Sequence, residues 1–134
     1  MNCTYLRGAI EEAVSACGYT LTQSAEHYLP TSVCHYPAAH LLPPEFRSIE
    51  GRNHGKITYS VELHLLHQGA KLSPSERNDR LDEMEREIIE IFTLLSEYER
   101  VLSVEELTFA PSATTIDNHG AIAMVAKAEI VTLF

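Results

Sequence analysis

Residues Ile57–Leu95, ITYSVELHLLHQGAKLSPSERNDRLDEMEREIIEIFTLL, contain the pattern that decides the fold. The first part of this stretch alternates, with apolar side chains at Ile57, Tyr59, Val61, Leu63 and Leu65. Polar side chains occupy the positions between them, which are Thr58, Ser60, Glu62 and His64. A period of two places the two sets on opposite faces of an extended chain. The sequence therefore predicts a half-buried strand.

The pattern changes to a helical one after Gly69. Ser73 can cap a helix, Pro74 suits the first helical position, and Glu76 can reach back to complete a capping box. Apolar side chains then recur at three- and four-residue spacing, at Leu81, Met84, Ile88, Ile91, Phe92 and Leu95. We expect an amphipathic helix from Pro74 to Leu95, with Leu81, Met84, Ile88 and Leu95 in the core.

Size and composition indicate one soluble domain. The chain has 134 residues, of which 45% are hydrophobic, so it can bury a core without metal or disulfide support. Its three cysteines include no CxxC pair, and no signal-peptide pattern follows Met1, which favours a reducing cytoplasm. No apolar run reaches the roughly 20 residues that span a bilayer. We expect Cys17 to be a small core residue.

The net charge of −9 belongs mainly to residues 71–134, which hold six Lys and Arg against thirteen Asp and Glu, and most of those acidic side chains lie in the predicted central helix. Acidic side chains occur there at Asp79, Asp82, Glu83, Glu85, Glu87 and Glu90. This distribution is typical of a solvated helix face, and it also suits a positively charged partner, because a field of one sign steers association. Lys and Arg are not clustered, so direct nucleic-acid binding is not expected.

The N-terminal third is predicted to contain a helix and short extended segments. A helix at Thr4–Cys17 should end at Gly18, and Tyr19 and Leu21 suggest a brief strand. Ser32–Tyr36 reads as a second strand, which ends at Pro37. The stretch Ala38–Glu45 contains Pro43-Pro44 and is predicted to be a surface loop or a sheet edge.

The remaining segments predict an antiparallel sheet. Phe46–Glu50 and Lys56–Leu66 flank the turn formers Gly51–Gly55 and should form a long hairpin. A strand at Val101–Phe109 is closed by Pro111, and the Asx and Gly content of Asp117–Gly120 predicts a turn. The last strand, Ala121–Phe134, is apolar on both faces, with Ile122, Met124 and Ile130 on one and Val125, Val131 and Leu133 on the other. It should be central in the sheet or covered by a neighbouring subunit. The fold class is therefore α+β, with a mostly antiparallel sheet packed against an N-terminal helix and a long central helix.

Catalytic and metal-binding patterns are not found. The seven histidines, which include His64 and His67, fit no ligand spacing, so neither a metal nor a cofactor is expected. Cys34 and His35 are adjacent on a predicted strand and should point to opposite faces, which argues against a catalytic dyad. The turn Gly51–Gly55 lacks a phosphate-loop pattern.

The order of elements resembles that of the tail terminator and tail completion proteins of long-tailed bacteriophages. The resemblance is carried by the helix Thr4–Cys17, the strand end Tyr36-Pro37, the turn Gly51–Gly55 before ITYSVELHLL, the helix Pro74–Leu95 and the final segment AIAMVAKAEIVTLF. It implies a homo-oligomeric ring, often of six subunits, and no catalytic residues. It also implies that the protein joins tail-tube and head–tail connector proteins, assembles in the bacterial cytoplasm and becomes part of the virion.

Two alternatives and one interface hypothesis accompany this interpretation. The alternatives are another neck or head–tail joining protein, and a cytoplasmic ligand-binding or enzymatic domain with a site near Cys34, His35 and His40. The interface hypothesis pairs the positive groups Arg52, His54 and Lys56 with acidic residues of the central helix on a neighbour or partner, namely Asp82, Glu83, Glu87 and Glu90; the alternative is a solvated turn with incidental charge.

Overall fold

The computed structural model describes residues 2–23, 37–51, 55–69, 72–112 and 122–134. Within them the chain forms two helices and six strands in the order α1 (Asn2–Ala16), β1 (Thr20–Gln23), β2 (Ala38–Leu41), β3 (Glu45–Glu50), β4 (Lys56–His67), α2 (Pro74–Ser96), β5 (Val101–Pro111) and β6 (Ile122–Leu133). The predicted strand Ser32–Tyr36 and the predicted turn Asp117–Gly120 lie outside the described residues.

The strands form one mostly antiparallel sheet. The order is β1-β2-β4-β6-β5. β3 pairs with the first part of β4, on the edge of β4 that pairs further along with β2. Only the pair β1–β2 is parallel among the strand pairs of the described residues. The predicted α+β class and the predicted hairpin, here β3–β4, are both confirmed. β6 lies between β4 and β5, which confirms the prediction of a central position.

Both helices pack against the same face of the sheet. Side chains from α1, α2 and the sheet form one buried cluster, which includes Leu6, Ile10, Ile88, Leu63 and Ile130. In α2 the predicted core residues Met84, Ile88 and Leu95 are fully buried, whereas Leu81 is only partly buried. Because the sheet supplies a continuous apolar surface, these helices are stabilised mainly by tertiary burial.

The ends of the helices match their local sequence signals. The Ser73 hydroxyl accepts from the Glu76 amide at 3.2 Å, and the Glu76 carboxylate accepts from the Ser73 amide at 3.3 Å, so the capping box is formed. Gly18 has a φ of +87°, a conformation that ends α1 and favours glycine. α1 starts earlier than predicted because Asn2 is buried and donates to Thr132 Oγ1 and to the Leu133 carbonyl, both at 3.0 Å.

The prediction of a loop or sheet edge at Ala38–Glu45 is wrong for its first half. Ala38–Leu41 forms β2, whose four residues are all buried between β1 and β4. Pro43 and Pro44 lie after the strand ends, so they remove no hydrogen bond from it. A short strand that is buried on both faces has no alternation, which is the signal by which strands are recognised.

Candidate interaction surface

The most exposed regular element is β3. All six of its residues are exposed, and among the described strands it pairs with β4 alone. Two of these residues are large and apolar: Phe46 is 60% exposed and Ile49 is 55% exposed. An exposed edge strand is a template for pairing with another chain, and soluble proteins usually protect such edges.

A β-bulge places Phe46 and Ile49 on the same face. Phe46 pairs with Tyr59 and Ile49 pairs with Ile57, while the register shifts between Phe46 and Ser48. Residues three apart in a regular strand point to opposite faces, so the extra residue at the bulge is what brings these two together. Both point to the side of the sheet that carries the helices, yet both stay exposed.

A second exposed apolar region lies at the opposite edge of the sheet. β5 forms that edge, and α2 packs on β5 and β6. Leu102 of β5 and Ile89 of α2 are each 48% exposed. Leu94 of α2 lines a groove against α1, and Ile89 lies about 140° around the helix from Leu94 because each residue advances about 100°. Ile89 therefore faces away from α1, towards the β5 edge.

The acidic residues of α2 are divided between two environments. One environment is an open cavity of about 520 Å³ lined by Asp79, Asp82, Glu83, Glu85 and Arg86. Glu83 also forms an ion pair with Arg80 at 3.0 Å. The other two residues of the interface hypothesis lie on the flank of α2 towards the end of α1. Glu87 adds to the raised pKa of Tyr19 and Glu90 to the raised pKa of the Cys17 thiol, in each case less than burial does. Glu90 itself is exposed.

The positive half of the interface hypothesis lies at the hairpin. Lys56 is exposed at the start of β4, where it pairs in register with Glu50 of β3. Arg47, at the bulge, is exposed as well. Arg52 and His54 lie outside the described residues. The described positive side chains therefore lie beside the exposed apolar pair of β3, an arrangement that the sequence pattern did not indicate.

A partly buried polar pair joins Tyr19, the residue before β1, to the end of β4. The Tyr19 hydroxyl and His67 Nε2 are 2.7 Å apart, and their rings meet edge to face with centroids 5.3 Å apart. Burial, with a smaller contribution from Glu87, raises the pKa of Tyr19. Burial, together with the nearby positive charge of Arg80, lowers the pKa of His67 to about 4. Both groups are therefore uncharged at neutral pH.

The sequence reasoning missed this pair. It depends on the end of α1 being folded back against the far end of β4, a long-range contact that produces no local pattern. Cys17, at the same turn, is a predicted core residue and is only partly buried against the core; burial raises the pKa of its thiol to about 11. A thiol held protonated in this way is a poor nucleophile.

Of the three residues considered for a site, Cys34, His35 and His40, only His40 lies within the described residues. His40 is 1% exposed and pairs in register with His64 of β4. Neither of its ring nitrogens has a hydrogen-bond partner among the described residues. Burial and the neighbouring His64 lower the pKa of His40. Such a residue is out of reach of a substrate in solution.

The neighbouring His64 belongs to a polar row on the face away from the helices. His64 Nε2 lies 2.8 Å from Glu62 Oε2, and Lys127 Nζ lies 3.4 Å from Glu62 Oε1. Burial alone would raise the pKa of Glu62, but His64 and Lys127 together lower it. Two partners on one carboxylate make this a cross-strand structural contact.

The comparisons with known proteins leave the function to be argued from geometry. No protein-family model matches the chain, and no curated protein sequence matches it. In the part of the chain that the structure describes, no group of three or more His, Cys, Asp or Glu side chains could hold a metal ion. Neither described helix is long and apolar enough to cross a membrane.

Proposed function

We propose that this chain is a non-enzymatic structural subunit that assembles with copies of itself into a ring of the phage tail terminator type. The observation that carries the proposal is β3, which pairs with β4 alone among the described strands, has six exposed residues and carries two large apolar side chains on one face. An exposed strand of this kind is an aggregation hazard in a monomer and a binding surface in an oligomer.

The positions of the exposed regions favour head-to-tail assembly over a two-fold dimer. One region lies at β3, and the other lies at the opposite edge of the sheet, at Leu102 and Ile89. Two different surfaces on opposite sides of a subunit suit a head-to-tail contact, which closes into a ring when the rotation between subunits allows it.

The resemblance in element order gives the ring its proposed role. Tail terminators stop growth of the tail tube and provide the junction to the head, and they need an assembly surface instead of an active site. In this proposal the acidic surface of α2 around Asp82 and Glu85 is available to a positively charged partner in the tube or connector. The protein would act in the bacterial cytoplasm and then in the virion.

The nearest alternative is another neck or head–tail joining protein, which would share self-assembly but not the effect on tube length. The alternative of a different class is a ligand-binding or enzymatic domain. Its most distinctive described feature is the Tyr19–His67 pair, because buried groups with strongly shifted pKa values are common at active sites. That pair is explained equally well as a neutral contact within the core.

The test combines oligomeric state with an assay of tube growth. Gel filtration with light scattering should show a ring at high protein concentration, and electron microscopy should show its symmetry. Added to the polymerising tail-tube protein of the same phage genome, the wild-type protein should stop elongation and bind at one tube end. The matched control is the double variant Phe46→Ser/Ile49→Ser, which should do neither.

Each result separates the candidates. Rings that bind tube ends without limiting tube length would favour another neck protein. A monomer at millimolar concentration that also leaves tube growth unchanged would overturn the proposal.

A further inference from the structure

The directions of the strands allow the sheet to continue from one subunit to the next. β3 is antiparallel to β4, β4 to β6, and β6 to β5. Three antiparallel steps leave β3 and β5 antiparallel to each other. When a second copy is placed beside the first in the same orientation, its β3 therefore meets β5 of the first as an antiparallel neighbour, the more favourable of the two pairings.

The faces of the two edges also match. One row across the sheet runs through Phe46, Tyr59, Ile130 and Val104, so Phe46 and Val104 point to the same side. That side is the one on which α2 packs. Continuing the sheet would bring Phe46 of the second copy next to Val104 and beneath the outer flank of α2, where Ile89 is exposed.

We propose that β3 of one copy pairs antiparallel with β5 of the next, so that Phe46 and Ile49 are buried against Ile89 and Leu102 of that neighbour. The proposal rests on the self-assembly proposed above and names the surfaces that form the contact. It accounts at once for four of the five large apolar residues that are exposed among the described residues. The contact is head-to-tail, which is the geometry that a ring requires.

Geometry favours this partner over a β3–β3 dimer. Ile89 and Leu102 lie at the edge opposite β3, each 48% exposed. A two-fold dimer through β3 would leave both of them exposed, whereas the β3–β5 contact covers both edges at once.

The decisive experiment uses two variants that each disable one side of the contact. Phe46→Glu should block the β3 side, and Ile89→Glu should block the α2 side. Each variant alone should be monomeric, with the apparent dissociation constant raised at least ~100-fold, because the contact would bury an unpaired carboxylate. Mixed together, they should form a one-to-one heterodimer and nothing larger, since one intact contact remains. Thr4→Glu, at an exposed position of α1, is the matched control and should assemble like the wild type.

The location of the contact is read by photocrosslinking in the assembled wild-type background. A photoreactive p-benzoylphenylalanine at position 46 should crosslink to peptides that contain Ile89 or Leu102. Mixing subunits of normal and heavy nitrogen will show that the crosslink joins two copies. Circular dichroism of every variant should match the wild type, because the substituted positions are exposed in the single subunit.

The outcomes separate this inference from the proposed function. Assembly of Ile89→Glu at wild-type affinity, or crosslinks from position 46 to β3 of another copy, would overturn the β3–β5 contact while leaving ring formation intact. A wild-type protein that stays monomeric at millimolar concentration would overturn the β3–β5 contact, and one that also leaves tube growth unchanged would overturn both proposals.

Discussion

Truncating Ile88 should cost far more stability than truncating its neighbour Ile89. The two isoleucines are adjacent in α2, but Ile88 is 0% exposed and Ile89 is 48% exposed. Changing either to alanine gives the same chemical deletion and the same gain in helix propensity. The comparison therefore isolates the effect of burial from every other effect of the substitution.

The expected magnitude follows from the burial of Ile88. Replacing isoleucine with alanine removes three carbon groups, which at about 0.8 kcal/mol each contribute roughly 2.4 kcal/mol of lost transfer free energy. The space left within the buried cluster adds a cavity cost that depends on how far the site collapses. The total should be about 2–5 kcal/mol for Ile88→Ala, and about 0.5 kcal/mol or less for the exposed Ile89→Ala.

Urea unfolding followed by circular dichroism measures both values. It should be done at micromolar protein, where self-assembly contributes least, and the slope of free energy against urea should be the same for all three proteins. Equal losses for the two variants, or a loss below about 1 kcal/mol for Ile88→Ala, would show that the buried face of α2 is wrongly assigned.

Three further outcomes are expected from the polar groups. His40→Leu should raise the free energy of unfolding by about 1–2 kcal/mol, because it removes a buried ring without hydrogen-bond partners; a loss of stability in urea unfolding would show that the ring has a partner. The thermal midpoint should fall as pH drops from about 6.5 towards 4. The pKa of His67 is lowered to about 4 in the folded protein, so the unfolded chain binds the extra proton first. If His67→Gln shows the same slope of thermal midpoint against pH, the effect comes from another group. Ser73→Ala should cost about 0.5–2 kcal/mol through loss of the N-cap, and a matched change at the exposed Ser75 should cost less.

The features predicted well from the sequence are those with local causes. The capping box at Ser73 and Glu76 lies within one turn of helix, and the alternation in β4 reflects a strand with one face in the core from Ile57 to Leu63. Both signals are complete within a few residues. The same holds for the stop at Gly18, which depends only on the conformation of one residue.

The features that were missed depend on contacts between distant segments. β2 becomes a strand because β1 and β4 supply partners on both sides, and four residues carry no periodicity of their own. The bulge that aligns Phe46 with Ile49 is a matter of register against β4. No local pattern indicates that Glu87 and Glu90 lie closer to the end of α1 than Asp82 and Glu83 do.

The central place of β6 has a consequence for synthesis on the ribosome. β4 and β5 are both complete by residue 111, yet the strand that separates them is formed by residues 122–133. Until that segment has been translated, the edges of β4 and β5 that will pair with β6 remain without a partner in the nascent chain. Pairings between segments far apart in sequence form slowly, and unpaired edges promote aggregation. A nascent chain of this topology should therefore rely on chaperones, and a premature stop codon before residue 122 should yield an insoluble product instead of a partly active one.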